Sequence, residues 1–241
     1  FNADIFGEND PAVDAELIAL LIDVLRDFNL TADDFVIRLS SRNAWQDFFA
    51  GKCRDESKAY DFYQAVDKLE RVKPEESDEK FKALGFTLAE IRDFIDLGQP
   101  TEELHSVLNN LAKRGLGDYV KIDYNVIRGL AYYTGIVYEA YDRHGKFRAI
   151  AGGGRYDQLV NLVSDGKNDV PGAGFAMGDV VLVELLKDRG VLPEFTGEID
   201  VYALIEDESL RDSTISLVQS LREGSLNVDY SIVPLKSDKQ F

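Results

Sequence analysis

Between residues 128 and 178 the chain carries three glycine-bearing stretches, and their spacing excludes the familiar glycine-dependent nucleotide sites. They are Arg128-Gly129-Leu130-Ala131-Tyr132-Tyr133-Thr134-Gly135, Ala151-Gly152-Gly153-Gly154-Arg155-Tyr156-Asp157, and Gly172-Ala173-Gly174-Phe175-Ala176-Met177-Gly178. No Gly-Lys-Ser/Thr follows any of them, so none is a phosphate loop. Gly172, Gly174 and Gly178 have the wrong spacing for a dinucleotide fingerprint and follow no βαβ strand. Such glycines let a ligand approach strands closely.

The surrounding pattern is one of hairpins. Tyr119 to Tyr124 reads as a strand, Tyr132 to Tyr141 as a long strand, Asp142 to Lys146 as a turn and Phe147 to Ile150 as the return strand. A helix follows over about 179–189 and ends at Gly190. Towards the N-terminus, Phe1 to Gly7 alternates like a strand. Asp10-Pro11 reads as an N-cap and first helical residue, opening a helix to about residue 29, and Phe35 to Leu39 is again strand-like. From about 42 to 117 the apolar period is helical, with breaks at Lys73-Pro74, Gly85 and Gly98-Gln99-Pro100. Hairpin strands around helices predict an antiparallel α+β domain over 1–192 with a helical insertion at 42–117. After a linker at Pro193 to Gly197, Ile199 to Ile205 reads as a strand buried on both faces. A helix around Leu210 to Leu221 and a strand at Val228 to Ile232 complete a βαβ start over 198–241, which implies a parallel sheet.

Charge and cysteine usage narrow the chemistry. Lys+Arg is 27 against 44 Asp+Glu, a formal net charge of −17 over 241 residues. A diffuse basic field for nucleic acid is excluded, and any such contact must use local patches of Lys and Arg or regions outside these residues; Lys236 and Lys239 are candidates, with scattered surface lysines the default reading. Cys53 is the only cysteine, which excludes an intrachain disulfide, and two histidines, His105 and His144, make no His-rich metal site. No apolar run approaches a membrane span and no signal peptide is visible, so we expect a soluble, cytoplasmic protein. The chain has no initiator Met, and we expect it to be a piece of a longer protein.

The candidate chemistry lies in the glycine stretches. Arg128 at the head of a strand can neutralise a carboxylate or phosphate, and Tyr132-Tyr133 offer ring surface and hydroxyls to a small polar ligand. The same residues equally describe a strand with a surface arginine and core aromatics. Ala151 to Asp157 reads either as a functional glycine run with an arginine fork at its end or as a tight bend with Arg155 in a structural ion pair.

Together these stretches resemble a known family. Arg128 to Gly135 is similar to the first signature of the histidyl-tRNA synthetases and Ala151 to Asp157 to the second, in the same order and separation. Gly174 to Gly178 resembles the opening of motif 3 of the class II synthetases. Asp4-Ile5-Phe6-Gly7-Glu8 is similar to the segment after motif 2, and residues 198–241, including Lys239-Gln240-Phe241, resemble the start of the anticodon-binding domain. The resemblance implies a class II antiparallel sheet followed by a partial α/β domain. It also implies formation of histidyl-adenylate from histidine and ATP, with Mg2+, then transfer to the 3′ end of tRNA(His) by a homodimer. Arg128 matches the catalytic arginine, which also contacts ATP. Asp4 and Tyr133 match the histidine pocket, with Tyr132, Gly153 and Tyr156 lining it, and Gly178 stands in the ATP-binding motif.

Two departures stand out. Val181 occupies the motif 3 slot where the family places an ATP-binding arginine, and an aliphatic residue cannot replace a guanidinium. Ala131 stands where many relatives have Asp. Motif 1 and the ATP-binding arginine of motif 2 are not among the 241 residues, which by themselves are expected to be inactive. The alternative reading is the non-catalytic, histidine-sensing regulatory subunit of ATP phosphoribosyltransferase. The missing arginine favours it, and the βαβ start beyond 198 opposes it.

Overall fold

The computed structural model describes residues 1–128, 132–194 and 197–234, and it divides into two units, residues 1–192 and 193–241. Ala131, Lys236 and Lys239 to Phe241 lie outside the described residues.

In the first unit Asn2–Phe6 forms strand β1, with exposed and half-buried residues alternating. Helix α1 spans Ala12–Arg26 and buries Ala15, Ile18, Leu21, Ile22 and Leu25. It begins one residue later than the sequence predicts: Pro11 is the cap, and Asp10 Oδ1 accepts from the Ala12 amide at 2.8 Å. That bond still satisfies an orphan donor of the first turn. The helix ends before residue 29, where Asn29 takes φ +61°, a conformation that no α-helix continues through.

Strand β2, Phe35–Ser41, leads directly into the helical segment through Ser41, whose hydroxyl caps the Ala44 amide. That segment contains α2 (Arg42–Ala50), α3 (Ala59–Asp67), α4 (Pro74–Leu84), α5 (Leu88–Leu97) and α6 (Glu102–Lys113). Gly85 and Gly98 end α4 and α5 in the left-handed conformation. Trp45, Phe62, Phe81 and Phe86 are fully buried in the same core as α1. The Trp45 indole N–H donates to Tyr124 O at 3.1 Å.

The rest of the unit is β3 (Val120–Ile122), β4 (Ile136–Asp142), β5 (Ala151–Arg155), α7 (Leu159–Val163), β6 (Gly172–Met177) and α8 (Asp179–Arg189). The sheet order is β1-β6-β5-β4-β2-β3, antiparallel except for β2 with β3. The fold class is α+β.

Two strand expectations are corrected. The strand expected from Tyr132 begins only at Ile136. Tyr132 and Tyr133 both face one cleft, whereas successive residues of a strand point to opposite faces. The return strand is not Phe147 to Ile150, which is irregular, but the glycine run itself, β5. Paired by β4 on one side and β6 on the other, that run is an inner strand rather than a bend.

Alternation divides the sheet into two faces. Ala3, Ile5, Phe175, Ala173, Tyr138, Ala140, Ile37 and Leu39 pack into the core with α1. Asn2, Asp4, Gly174, Ala176, Gly152 and Glu139 occupy the other face, where the register aligns Asn2, Ala176, Gly152 and Glu139 in one row.

The second unit contains β7 (Val201–Ala203), α9 (Arg211–Glu223) and β8 (Val228–Tyr230), with β7 and β8 parallel. Strand β7 is shorter than the expected Ile199 to Ile205, and its three residues are half-buried rather than covered on both faces. Ile199 is exposed and Ile205 is fully buried. Among the described residues no helix is long and apolar enough to cross a membrane.

Candidate active site

The solvent face of the sheet carries a cleft of about 450 Å3 into which three stretches of chain deliver Asp4, then Arg128 with Tyr132 and Tyr133, and Tyr156. That volume is within the usual range of small-ligand sites.

Asp4 stands on β1 directly opposite Gly174 of β6. A β-carbon on Gly174 would lie 2.1 Å from Asp4 Oδ1, so the carboxylate occupies space that only glycine leaves open. The Tyr156 hydroxyl donates to Asp4 Oδ1, and Asn2 Nδ2 donates to Oδ2 at 3.1 Å. Burial, then the nearby Asp4 carboxylate, holds the Tyr156 phenol well above its ordinary range, so Tyr156 is a donor at neutral pH. The Tyr132 phenol is pushed up to about 12 by burial, with a hydrogen bond to Tyr133 next. The two rings lie 4.6 Å apart between centroids.

Arg128 approaches from the opposite side. Its backbone takes φ +54°, a left-handed conformation that costs a non-glycine residue about 1–3 kcal/mol and is concentrated at functional sites. Its guanidinium lies over Gly152, where a β-carbon would be 2.1 Å from Nη1. Nη1 donates to Glu139 Oε1 at 2.7 Å, and the guanidinium carbon is 5.6 Å from the Tyr133 ring centroid. Burial works against its charge, but Tyr133 and Glu139 outweigh it and hold the pKa above its usual value. Arg128 therefore presents a permanent cation to the cleft.

The remaining sequence candidates lie elsewhere. The absent side chain of Gly153 faces β6, where a β-carbon would stand 2.3 Å from Gly174 O. Gly178 caps α8 and is not among the cleft-lining residues. Val181 packs against the core from α8 and brings no charge to the cleft. Arg155 is not a lining residue either: its Nη2 donates to the fully buried Asp14 Oδ2 at 2.6 Å, and its Nη1 to Glu8 O at 3.1 Å. It thereby ties β5 to α1 and to the turn after β1.

Sequence reasoning missed Asn2, Glu139, Gly152 and Gly174. Period-two alternation puts Gly152, not Gly153, on the face of Glu139 once β5 is known to be a strand. Which strands neighbour β5 is a long-range pairing that local pattern does not carry.

The sequence profile of the family described as histidyl-tRNA synthetase matches residues 1–179. The chain is 40% identical to the histidine–tRNA ligase of Opitutus terrae, covering 100% of this chain and 60% of that protein. It is 34% identical to the chloroplastic/mitochondrial histidine–tRNA ligase of Arabidopsis thaliana, covering 95% and 50%. The chain thus spans between half and three-fifths of these relatives. In fold it is similar to the histidyl-tRNA synthetase from Nostoc sp. PCC 7120, with a TM-score of 0.70 at 22% identity, covering 99% of this chain and 62% of the other. A protein of Bacillus halodurans described as an ATP phosphoribosyltransferase regulatory subunit/histidyl-tRNA synthetase gives 0.62 at 20% identity, covering 95% and 62%. On the profile match and the sequence identities, this chain belongs to the histidyl-tRNA synthetase family.

Proposed function

We propose that the protein to which this chain belongs is a histidine–tRNA ligase. In this reading it joins histidine to ATP as histidyl-adenylate and then transfers the histidyl group to the 3′ end of tRNA(His). The observation that carries the proposal is the convergence of Asp4, Arg128, Tyr133 and Tyr156 in one cleft. A carboxylate and phenols at one end suit an imidazole N–H, and a fixed cation at the other suits a carboxylate and an α-phosphate.

In the first step a carboxylate oxygen of histidine attacks the α-phosphorus of ATP. The bond from the α-phosphorus to the bridging oxygen breaks, and pyrophosphate leaves with its electron pair. Arg128 neutralises charge that both the carboxylate and the α-phosphate bring together, so its contribution grows as they approach. Asp4 holds the imidazole end and fixes the angle of attack. In the second step a ribose hydroxyl of the tRNA terminus attacks the carbonyl carbon of the adenylate and AMP departs.

Among the described residues no three His, Cys, Asp or Glu groups come together as a set that could hold a metal ion. Asp4 is held by Tyr156 and Asn2, and Glu139 by Arg128 and Tyr141. Mg2+ is proposed only as part of the ATP substrate, bound by phosphate oxygens and water. Arg128 is the cation we assign to ATP, because Val181 supplies none. Homodimer formation and a cytoplasmic location complete the reading by family resemblance.

The test is histidine-dependent ATP–pyrophosphate exchange on the full parent protein, with Arg128→Ala as control. Exchange that requires histidine and collapses in the control supports the proposal. Histidine binding without exchange would replace it with the sensing-subunit reading.

A further inference from the structure

Glu139 is a half-buried carboxylate, its side chain 13% exposed, that the proposed chemistry does not use, yet it touches the one cation that chemistry depends on. It stands in the middle of β4, directly opposite Arg38 of β2 and opposite Gly152 of β5. Arg38 is the partner that cross-strand pairing would give it. That arginine is instead drawn outward, to Glu70 at 3.4 Å and Asp123 at 3.5 Å, with its guanidinium carbon 4.2 Å from the Tyr141 ring centroid. Glu139 is thereby left to Arg128. Oε1 accepts from Arg128 Nη1 at 2.7 Å, and Oε2 accepts from the Tyr141 hydroxyl at 2.5 Å. Both carboxylate oxygens are taken, so the group has one orientation.

Three features show that this orientation bears on Arg128 rather than on the strand alone. Arg128 lies outside the strands with its backbone at φ +54°, and its side chain reaches across the sheet face over Gly152. The space it crosses exists only because Gly152 has no side chain. Glu139 accepts from Nη1, and a second side-chain hydrogen bond joins the guanidinium to Tyr133 in the cleft wall, so the planar fork is held facing the cleft.

We propose that Glu139, locked by Tyr141, is the positioning residue for Arg128, setting where its guanidinium meets the reacting carboxylate and phosphate. The proposal rests on the function proposed above. Glu139 touches no substrate in it; it acts through Arg128.

The test uses the full parent protein and the variants E139A, E139Q, Y141F, R128A and E139A/R128A. E139A is expected to lower kcat of pyrophosphate exchange by about 10- to 100-fold while KM for histidine changes by less than about threefold, the effect of a misplaced catalytic group. E139Q keeps an oxygen acceptor for Nη1 and should recover most of the loss. Y141F should fall between E139Q and E139A. The double variant should be no slower than R128A within about twofold, because a positioning residue has nothing left to position. A kcat for E139A within twofold of wild type, or a loss that multiplies with that of R128A, overturns the proposal. Crystal structures of the wild type and E139A read the same point without activity. Displacement of the guanidinium from above Gly152 supports the proposal, and an unmoved guanidinium overturns it. If the wild type shows no histidine-dependent exchange, the proposed function falls, and the positioning of Arg128 is decided by those structures alone.

Discussion

The Asp4 carboxylate lies across Gly174, in the space a side chain there would fill. A β-carbon at 174 would be 2.1 Å from Asp4 Oδ1 and 2.7 Å from the backbone Ala3 O. The second contact cannot be relieved by a rotamer change, because it involves main chain.

Gly174→Ala should therefore both destabilise the protein and displace Asp4 from the end of the cleft that we propose takes histidine. Overpacking of this kind costs about 1–3 kcal/mol. Thermal denaturation should show a lowered Tm, and calorimetric titration with histidine a weakened affinity. Unchanged histidine binding would mean that Asp4 does not hold the ligand.

Tyr156→Phe separates the hydroxyl from the ring. The ring packs edge-on against Phe6 with centroids 6.1 Å apart, and the variant keeps that contact. What goes is the hydrogen bond that orients Asp4. A hydrogen bond to a charged group contributes about 1.5–3 kcal/mol, so histidine affinity should fall by about one order of magnitude or more while Tm changes little. A large drop in Tm with intact affinity would place Tyr156 in the scaffold instead.

The cleft residues divide into those legible in sequence and those not. Arg128 and Tyr132-Tyr133 stand out by residue type beside glycines, Asp4 only through the family resemblance, and all of them reach the cleft. Gly153 shows the limit of that reasoning. In a run of three glycines the sequence does not say which one faces the ligand; the register does, and it places Gly152 there and Gly153 against β6. Glu139 is equally hidden: eleven residues separate it from Arg128, and local pattern does not say that the two side chains meet. In the helical segment local rules sufficed. Ser41, Thr87 and Thr101 cap helices as their residue types favour, and Gly85 and Gly98 end them.

Thr87 and Glu90 form a reciprocal cap on α5: Thr87 Oγ1 accepts from the Glu90 amide at 3.2 Å, and Glu90 Oε2 accepts from the Thr87 amide at 2.8 Å. Thr87→Ala should cost about 1 kcal/mol. Lys52, first, and the Thr87 bonds lower the Glu90 carboxyl to about 2 from its model-peptide value of 4.5. Its folded-state pKa is depressed, so the stability it contributes is present above pH 4.5 and is lost as pH falls towards 2. Denaturation of wild type and Glu90→Gln should show a gap in midpoint at pH 7 that closes by pH 2–3; a gap independent of pH would rule the charge out.

Asp14 works in the opposite sense. It is fully buried beneath Arg155, whose Nε and Nη2 both reach Oδ2, while Oδ1 has no hydrogen-bond partner among the described residues. Burial raises its carboxyl from 3.8 to about 6, and the Arg155 hydrogen bond only partly offsets that. A carboxyl with a raised folded-state pKa contributes stability that is complete below about pH 4 and is lost as pH rises through 6. The stability of wild type relative to Asp14→Asn should therefore decline between pH 4 and 7 and be flat above. Removing Arg155 instead leaves the carboxylate buried without its cation, so Arg155→Met should be destabilised by about 3–5 kcal/mol at pH 7. Part of that loss should return at pH 4–5, where Asp14 is neutral. Urea denaturation at the two pH values decides it: a deficit in Arg155→Met that does not shrink on acidification would mean that Arg155 holds β5 to the turn after β1 through its bonds to Glu8 O and Asp10 O, and not through the charge of Asp14.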